Sequence, residues 1–125
     1  MKKVLLLLFL VACSVQPQVV NLEPLQAKDL LDSSDLFVLN VHTPYEGKIE
    51  GTDAVIEDWE NIAAHIDQLP EDKNAPIFVY CRTGRMSLSA VEQLKALGYT
   101  NLYHLQGGMK AWDIAGLPLV DKSFE

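Results

Sequence analysis

Apolar positions along the chain fall into two alternating patterns, short continuous runs and stripes at helical spacing. Leu36-Phe37-Val38-Leu39-Asn40-Val41 is a near-continuous run, the mark of a strand covered on both faces. Ile77-Phe78-Val79-Tyr80 is another, and Val19–Leu22, Asp53–Ile56 and Asn101–Leu105 are shorter candidates. Between these runs, apolar residues recur three and four apart. Pro24, suited to a first helical position, precedes Leu25, Ala27, Leu30 and Leu31. Trp59, Ile62, Ala63, Ile66 and Leu69 predict a helix over 59–69. Met86, Ala90, Val91, Leu94 and Leu97 predict a longer one, closed by Gly98 as a left-handed cap. Gly107-Gly108 leads into a last short helix, Met109 to Ala115, before Gly116-Leu117-Pro118. Strands alternating with helices predict a parallel α/β sheet. In such sheets ligands bind beyond the C-terminal ends of the strands.

The first residues break the alternation. Met1-Lys2-Lys3 is a short basic start, and Val4 to Ala12 is an apolar run of nine residues. A bilayer-spanning helix needs about 20, so the run fits the apolar region of an export signal. It ends in Leu10-Val11-Ala12-Cys13, which resembles the lipobox of bacterial lipoproteins. On that reading residues 1–12 are a signal peptide, Cys13 is lipidated, and 13–20 form a tether. The folded domain then occupies 21–120 and residues 121–125 are a tail. The expectation is an exported, membrane-anchored protein facing the periplasm, since two or more lipid chains anchor stably. An ordinary signal peptide or an uncleaved anchor are the alternatives.

Composition supports one globular domain: 125 residues, 49% hydrophobic and 22% charged. The formal charge is −7, from 17 acidic and 10 basic side chains, with no basic patch of the kind nucleic acid requires. Neither a Cys-x2-Cys pair nor a histidine cluster is present, so zinc is not expected.

Against this acidic background one segment stands out, Cys81-Arg82-Thr83-Gly84-Arg85-Met86-Ser87. It joins the Ile77–Tyr80 run to the long helix. A helix N-terminus offers unpartnered N–H groups and positive potential. Gly84 lets the backbone curl so that such groups converge, and Arg82 and Arg85 add permanent charge. Each factor favours a thiolate over a thiol and attracts an anion. With Cys13 lipidated, Cys81 is the one thiol left, and a lone thiol in an exported protein points to reactivity. The plainer reading makes Cys81 a small buried hydrophobe and the arginines solvated surface charges.

From about Asn21 to Val120 the chain resembles the rhodanese domain family, on three motifs. They are Leu39–Glu46 with the following Ile49-Glu50-Gly51-Thr52, the Cys81–Ser87 loop, and Leu97-Gly98-Tyr99 through Leu105-Gln106-Gly107-Gly108-Met109-Lys110-Ala111-Trp112. The resemblance implies an α/β fold with a five-stranded parallel sheet flanked by helices on both faces. It implies sulfur transfer without a cofactor, in which Cys81 takes sulfane sulfur from a donor such as thiosulfate. The resulting persulfide passes it to cyanide or a thiol. Arg82, Thr83, Gly84, Arg85, Met86 and Ser87 would surround the anion, with the backbone N–H groups from Arg82 to Met86 converging on it. Three positions depart from the family pattern. Asn40 and His42 replace an Asp and an Arg, which suggests a neutral Asn40–His42 pairing, and Met86 stands where many active members have Arg. Competing functions are a non-catalytic module that binds a partner or senses sulfur, and a tyrosine phosphatase. The latter needs Cys-x5-Arg, and the position in question is Ser87.

Overall fold

A computed structural model describes residues 16–125. The signal-like run Val4–Ala12 and Cys13 lie outside the described residues. Strand β1 (Gln18–Leu22) leads into α1 (Pro24–Ser33), and β2 (Phe37–Asn40) is followed after a long loop by β3 (Ala54–Val55). A 3-10 segment (Ile62–Gln68) precedes β4 (Ile77–Tyr80), α2 (Arg85–Ala96), β5 (Asn101–Leu105) and α3 (Gly108–Ile114). The five strands form one parallel sheet in the order β1-β5-β4-β2-β3. That is the architecture the resemblance implied.

Residue parity along β4 divides the core. Ile77, Val79 and Cys81 face one layer, where Ala90, Val91 and Leu94 of α2 and Ile62 of the 3-10 segment pack. Phe78 and Tyr80 face the other, against Ala27 of α1 and Met109 and Trp112 of α3. Helices therefore cover both faces, and all four β4 residues are fully buried. This is why the run lacks polar alternation. Helix α1 starts with Pro24 at its first position, and the Gln26 side chain reaches back to the Glu23 N–H at 3.2 Å. Helix α2 ends at Gly98, φ +97°, with the Tyr99 N–H bonded to the Leu94 carbonyl.

Three expectations are corrected. The stripe at 59–69 is not a regular helix but a 3-10 segment with a non-helical His65 inside it. The Gln93 amide oxygen caps the Ile62 N–H at 2.9 Å, and His65 is drawn to Asp58 at 3.0 Å. These side chains hold the segment in a tighter turn, and Ile66 is 43% exposed as a result. The tether expected over 13–20 already contains the start of β1, whose Gln18–Val20 pair with Asn101–Tyr103. The tail expected over 121–125 is folded, because Phe124 is 8% exposed in the α1/α3 layer. Its approach is fixed by paired backbone bonds between Lys48 and Val120 and by the Ser123 N–H donating to the Glu46 carbonyl. The C-terminal segment thus straps the loop that follows β2. Among the described residues no helix is long and apolar enough to cross a membrane.

Candidate active site

Cys81 follows directly on β4, the central strand, at its C-terminal end and is 1% exposed. The chain then turns through Arg82 and Thr83 to Gly84, whose φ of +106° reverses the backbone into the first turn of α2. An L side chain would be strained there. The reversal places two α2-end amides on the sulfur: the Gly84 N–H donates to Sγ at 3.0 Å and the Ser87 N–H at 3.4 Å. The Ser87 hydroxyl lies 3.2 Å from the same atom. Convergent N–H groups at a helix N-terminus stabilise a sulfur anion both by hydrogen bonding and by the dipole.

The carbonyl groups of this loop are turned the other way. The Met109 N–H donates to the Cys81 carbonyl and the Lys110 N–H to that of Arg82, each at 2.9 Å. The start of α3 therefore fixes the loop from behind. Above the sulfur is a pocket of about 130 Å³ lined by His42, Cys81, Arg82, Thr83, Arg85 and Met86.

The structure brings five of the expected site residues, Cys81, Arg82, Thr83, Arg85 and Met86, to one pocket wall. Gly84 and Ser87 instead contact Sγ from below, so the amides on the sulfur are theirs rather than an even set from Arg82 to Met86. Arg82 is also not a free charge, because Glu46 accepts from it at 3.4 Å. The expected Asn40–His42 pairing takes a different form. Asn40, fully buried, accepts from the His42 backbone N–H at 2.9 Å and donates to the Gly47 carbonyl at 3.0 Å. The His42 ring goes to Glu46 instead, at 2.6 Å. Asn40 thus shapes the loop backbone, and Glu46 joins His42 to Arg82.

Sequence reading missed two contributors besides Glu46. His104 on β5 is 3% exposed, with Nε2 2.7 Å from Ser87 Oγ and Nδ1 3.1 Å from Asn21 Oδ1 of β1. Burial holds its imidazole below the usual histidine range, and a contact with the Gly84 backbone opposes this more weakly. The available signal was strand parity. His104 pairs in register with Val79, two residues before Cys81, and so faces the same layer. Among the described residues no group of three or more His, Cys, Asp or Glu could hold a metal.

A rhodanese-like domain matches residues 23–115. The chain belongs to the rhodanese-like domain family. The rhodanese-like chain is 33% identical to a sulfurtransferase of Allochromatium vinosum over 94 residues, which is 73% of this chain and 84% of that protein. It is 30% identical to the thiosulfate sulfurtransferase GlpE of Pseudoalteromonas translucida, over 72% of this chain and 85% of the relative. Against the larger probable adenylyltransferase/sulfurtransferase MoeZ of Mycobacterium tuberculosis it is 33% identical but spans only 24% of that protein. Among solved structures, a rhodanese-related protein of Thermoplasma volcanium has the same fold. The TM-score is 0.68 at 24% identity, covering 82% of this chain and 99% of that one.

Proposed function

We propose that this rhodanese-like protein is a sulfurtransferase in which Cys81 carries the sulfur. The observation that carries the reading is the Cys81 Sγ itself, held by the Gly84 and Ser87 amides at the base of a small pocket walled by Arg82 and Arg85. The thiolate attacks the outer sulfur of a donor such as thiosulfate. A new S–S bond forms on Cys81 as the donor's own S–S bond breaks, and sulfite leaves with the bonding pair. Cyanide or a thiolate then attacks the outer sulfur of the persulfide and regenerates the Cys81 thiolate. Charge is conserved in both steps. The preorganised amides stabilise the sulfur anion at the start and end of the cycle without reorganisation. The similarity to the sulfurtransferase of A. vinosum and the thiosulfate sulfurtransferase of P. translucida supports this chemistry.

The same site argues against phosphatase chemistry. Ser87 occupies the position where a phosphatase needs Arg, and its side chain is buried against Sγ and His104. Aryl phosphate hydrolysis is therefore not expected. We further propose that lipid on Cys13 holds the domain at a membrane after export, with the small sulfur anion and its acceptor reaching it from the periplasmic side. The basic start and the Val4–Ala12 run support this.

The deciding experiment is intact-mass analysis of the protein after thiosulfate treatment. One added sulfur, absent in Cys81→Ser and removed by cyanide, is expected. A mass unchanged by thiosulfate and by other sulfane donors would leave a partner-binding module as the better reading.

A further inference from the structure

His104 is a buried titratable group that the sulfur-transfer steps leave unused. Its two ring nitrogens are not equivalent. Nδ1 faces Asn21 Oδ1 at 3.1 Å, and an amide oxygen only accepts, so Nδ1 carries the ring proton. In the neutral ring Nε2 then presents a lone pair, 2.7 Å from Ser87 Oγ. The Ser87 hydroxyl has one proton and three acceptors in reach, of which His104 Nε2 at 2.7 Å is nearer than the Gly84 carbonyl at 3.1 Å or Cys81 Sγ at 3.2 Å. Donating to His104 leaves the Ser87 oxygen free to accept from Cys81 Sγ at 3.2 Å. The atoms form an unbroken chain from Cys81 through Ser87 and His104 to Asn21.

We propose that His104, oriented by Asn21, receives the Cys81 thiol proton through the Ser87 hydroxyl, so that the relay generates the thiolate on which the proposed sulfur transfer rests. The Cys81 S–H bond breaks as its proton passes to Ser87 Oγ. The Ser87 O–H bond breaks as its own proton passes to His104 Nε2. The electron pair of the S–H bond stays on sulfur, and thiol plus imidazole become thiolate plus imidazolium. His104 never touches the substrate and acts as a positioning residue.

The surroundings suit that role. Facing His104 are Asn21 from β1, the Gly84 backbone from the loop, and Ser87 from α2, with Cys81 beyond Ser87 at the end of β4. Arg85 is the one charged side chain among the described residues lining the cavity beside the ring, a space of about 570 Å³. Burial disfavours the charged ring, so the resting imidazole is neutral and Nε2 is available as a base. The imidazolium forms only together with the thiolate that balances it.

Alkylation of Cys81 by iodoacetamide reads the thiolate without any sulfur donor, so the relay is tested apart from the sulfurtransferase reading, which the intact-mass experiment decides. His104→Gln keeps size and hydrogen bonding but is not a base. The variant is expected to alkylate about tenfold more slowly at pH 7, the effect of moving a titration by one unit. At pH 9.5 it should match the wild type, because hydroxide then ionises the thiol directly. An equal loss at both pH values, or no loss at pH 7, would overturn the proposal. If His104→Gln does not fold, Asn21→Asp at the exposed end of the chain serves instead. A carboxylate there favours the imidazolium, so the alkylation profile should move to lower pH. A profile unchanged in Asn21→Asp would equally overturn the relay.

Discussion

A side chain on Gly108 would begin 2.5 Å from the carbonyl oxygen of Cys81. No Cβ fits at that distance, so the backbone at the start of α3 lies directly against the backbone of the sulfur-carrying loop. The approach lets the Met109 and Lys110 N–H groups reach the Cys81 and Arg82 carbonyls. Those bonds in turn leave the amides at the other end of the loop to face the sulfur. The Gly107-Gly108 pair is thus part of the site although neither residue lines the pocket above Cys81.

Gly108→Ala should therefore damage both stability and chemistry. Its φ of +61° costs an L residue about 1–2 kcal/mol, and displacement of two carbonyls adds to that. A fall in Tm of roughly 10 °C is expected for a domain of this size. Gly98→Ala is the control, since it shares the positive φ at +97° but has nothing within 4 Å of the added Cβ. Gly98→Ala should lose stability and still load sulfur, whereas Gly108→Ala should load poorly. Equal loading in the two folded variants would contradict the clamp.

The two arginines of the loop should not contribute equally to donor binding. Arg82 is held by Glu46 at 3.4 Å, so part of its field is already compensated. Arg85→Ala should raise KM for thiosulfate several-fold and leave kcat largely unchanged, because the charge acts on an anion present in the ground state. Arg82→Ala should raise it less. Steady-state kinetics with both variants checks the order, and a larger effect at Arg82 would mean that the Glu46 pair is not formed in solution.

Tyr80 predicts a pH dependence of stability. Burial pushes its phenol up to about 12, while its hydroxyl accepts from the Ile49 N–H at 2.9 Å and meets Thr52 Oγ1 at 2.7 Å. The folded value is above the unfolded one of about 10. The stabilisation is therefore complete below pH 10, and it is lost as pH rises toward 12, because the unfolded chain releases the proton first. The linked loss is roughly 3 kcal/mol. Tyr80→Phe should be about 1–2 kcal/mol less stable at pH 7 through its missing hydrogen bonds. In urea titrations that gap should close between pH 10 and 12. A constant gap would show that the phenol ionises equally easily in both states.

Lipidation of Cys13 is checked in the cell. The protein should partition into detergent, and Cys13→Ala should move it to the aqueous phase with its sulfur loading intact. An unchanged distribution in the variant would remove the lipid anchor from the proposal.

The strand–loop–helix at Cys81 was legible from contiguous residues. The buried run Ile77–Tyr80, the glycine at 84 and the stripe through Leu94 encode β4, the reversal and α2 by local preference, and the structure has all three. The parallel sheet was legible for the same reason, since uninterrupted apolar runs separated by helical stripes have few other ways to be buried. Spacing alone failed at 59–69. There a side chain from another element, Gln93, and a local hydrogen bond between His65 and Asp58 decide the backbone, and neither is visible in a periodicity.

What the amino-acid sequence determined by itself was which elements form, where Cys81 sits among them, and that a glycine permits the turn over it. Only the tertiary structure decided what surrounds the sulfur. Asn21 and His104 are 83 residues apart, Arg82 and Glu46 are 36 apart, and Ser87 and His104 are 17 apart. Their meeting depends on the order β1-β5-β4-β2 and, for His104, on the register that sets it beside Val79. A single-residue slip of β5 would turn His104 to the opposite layer. That register is fixed by burial of whole faces at once, so no local stretch of the chain contains it.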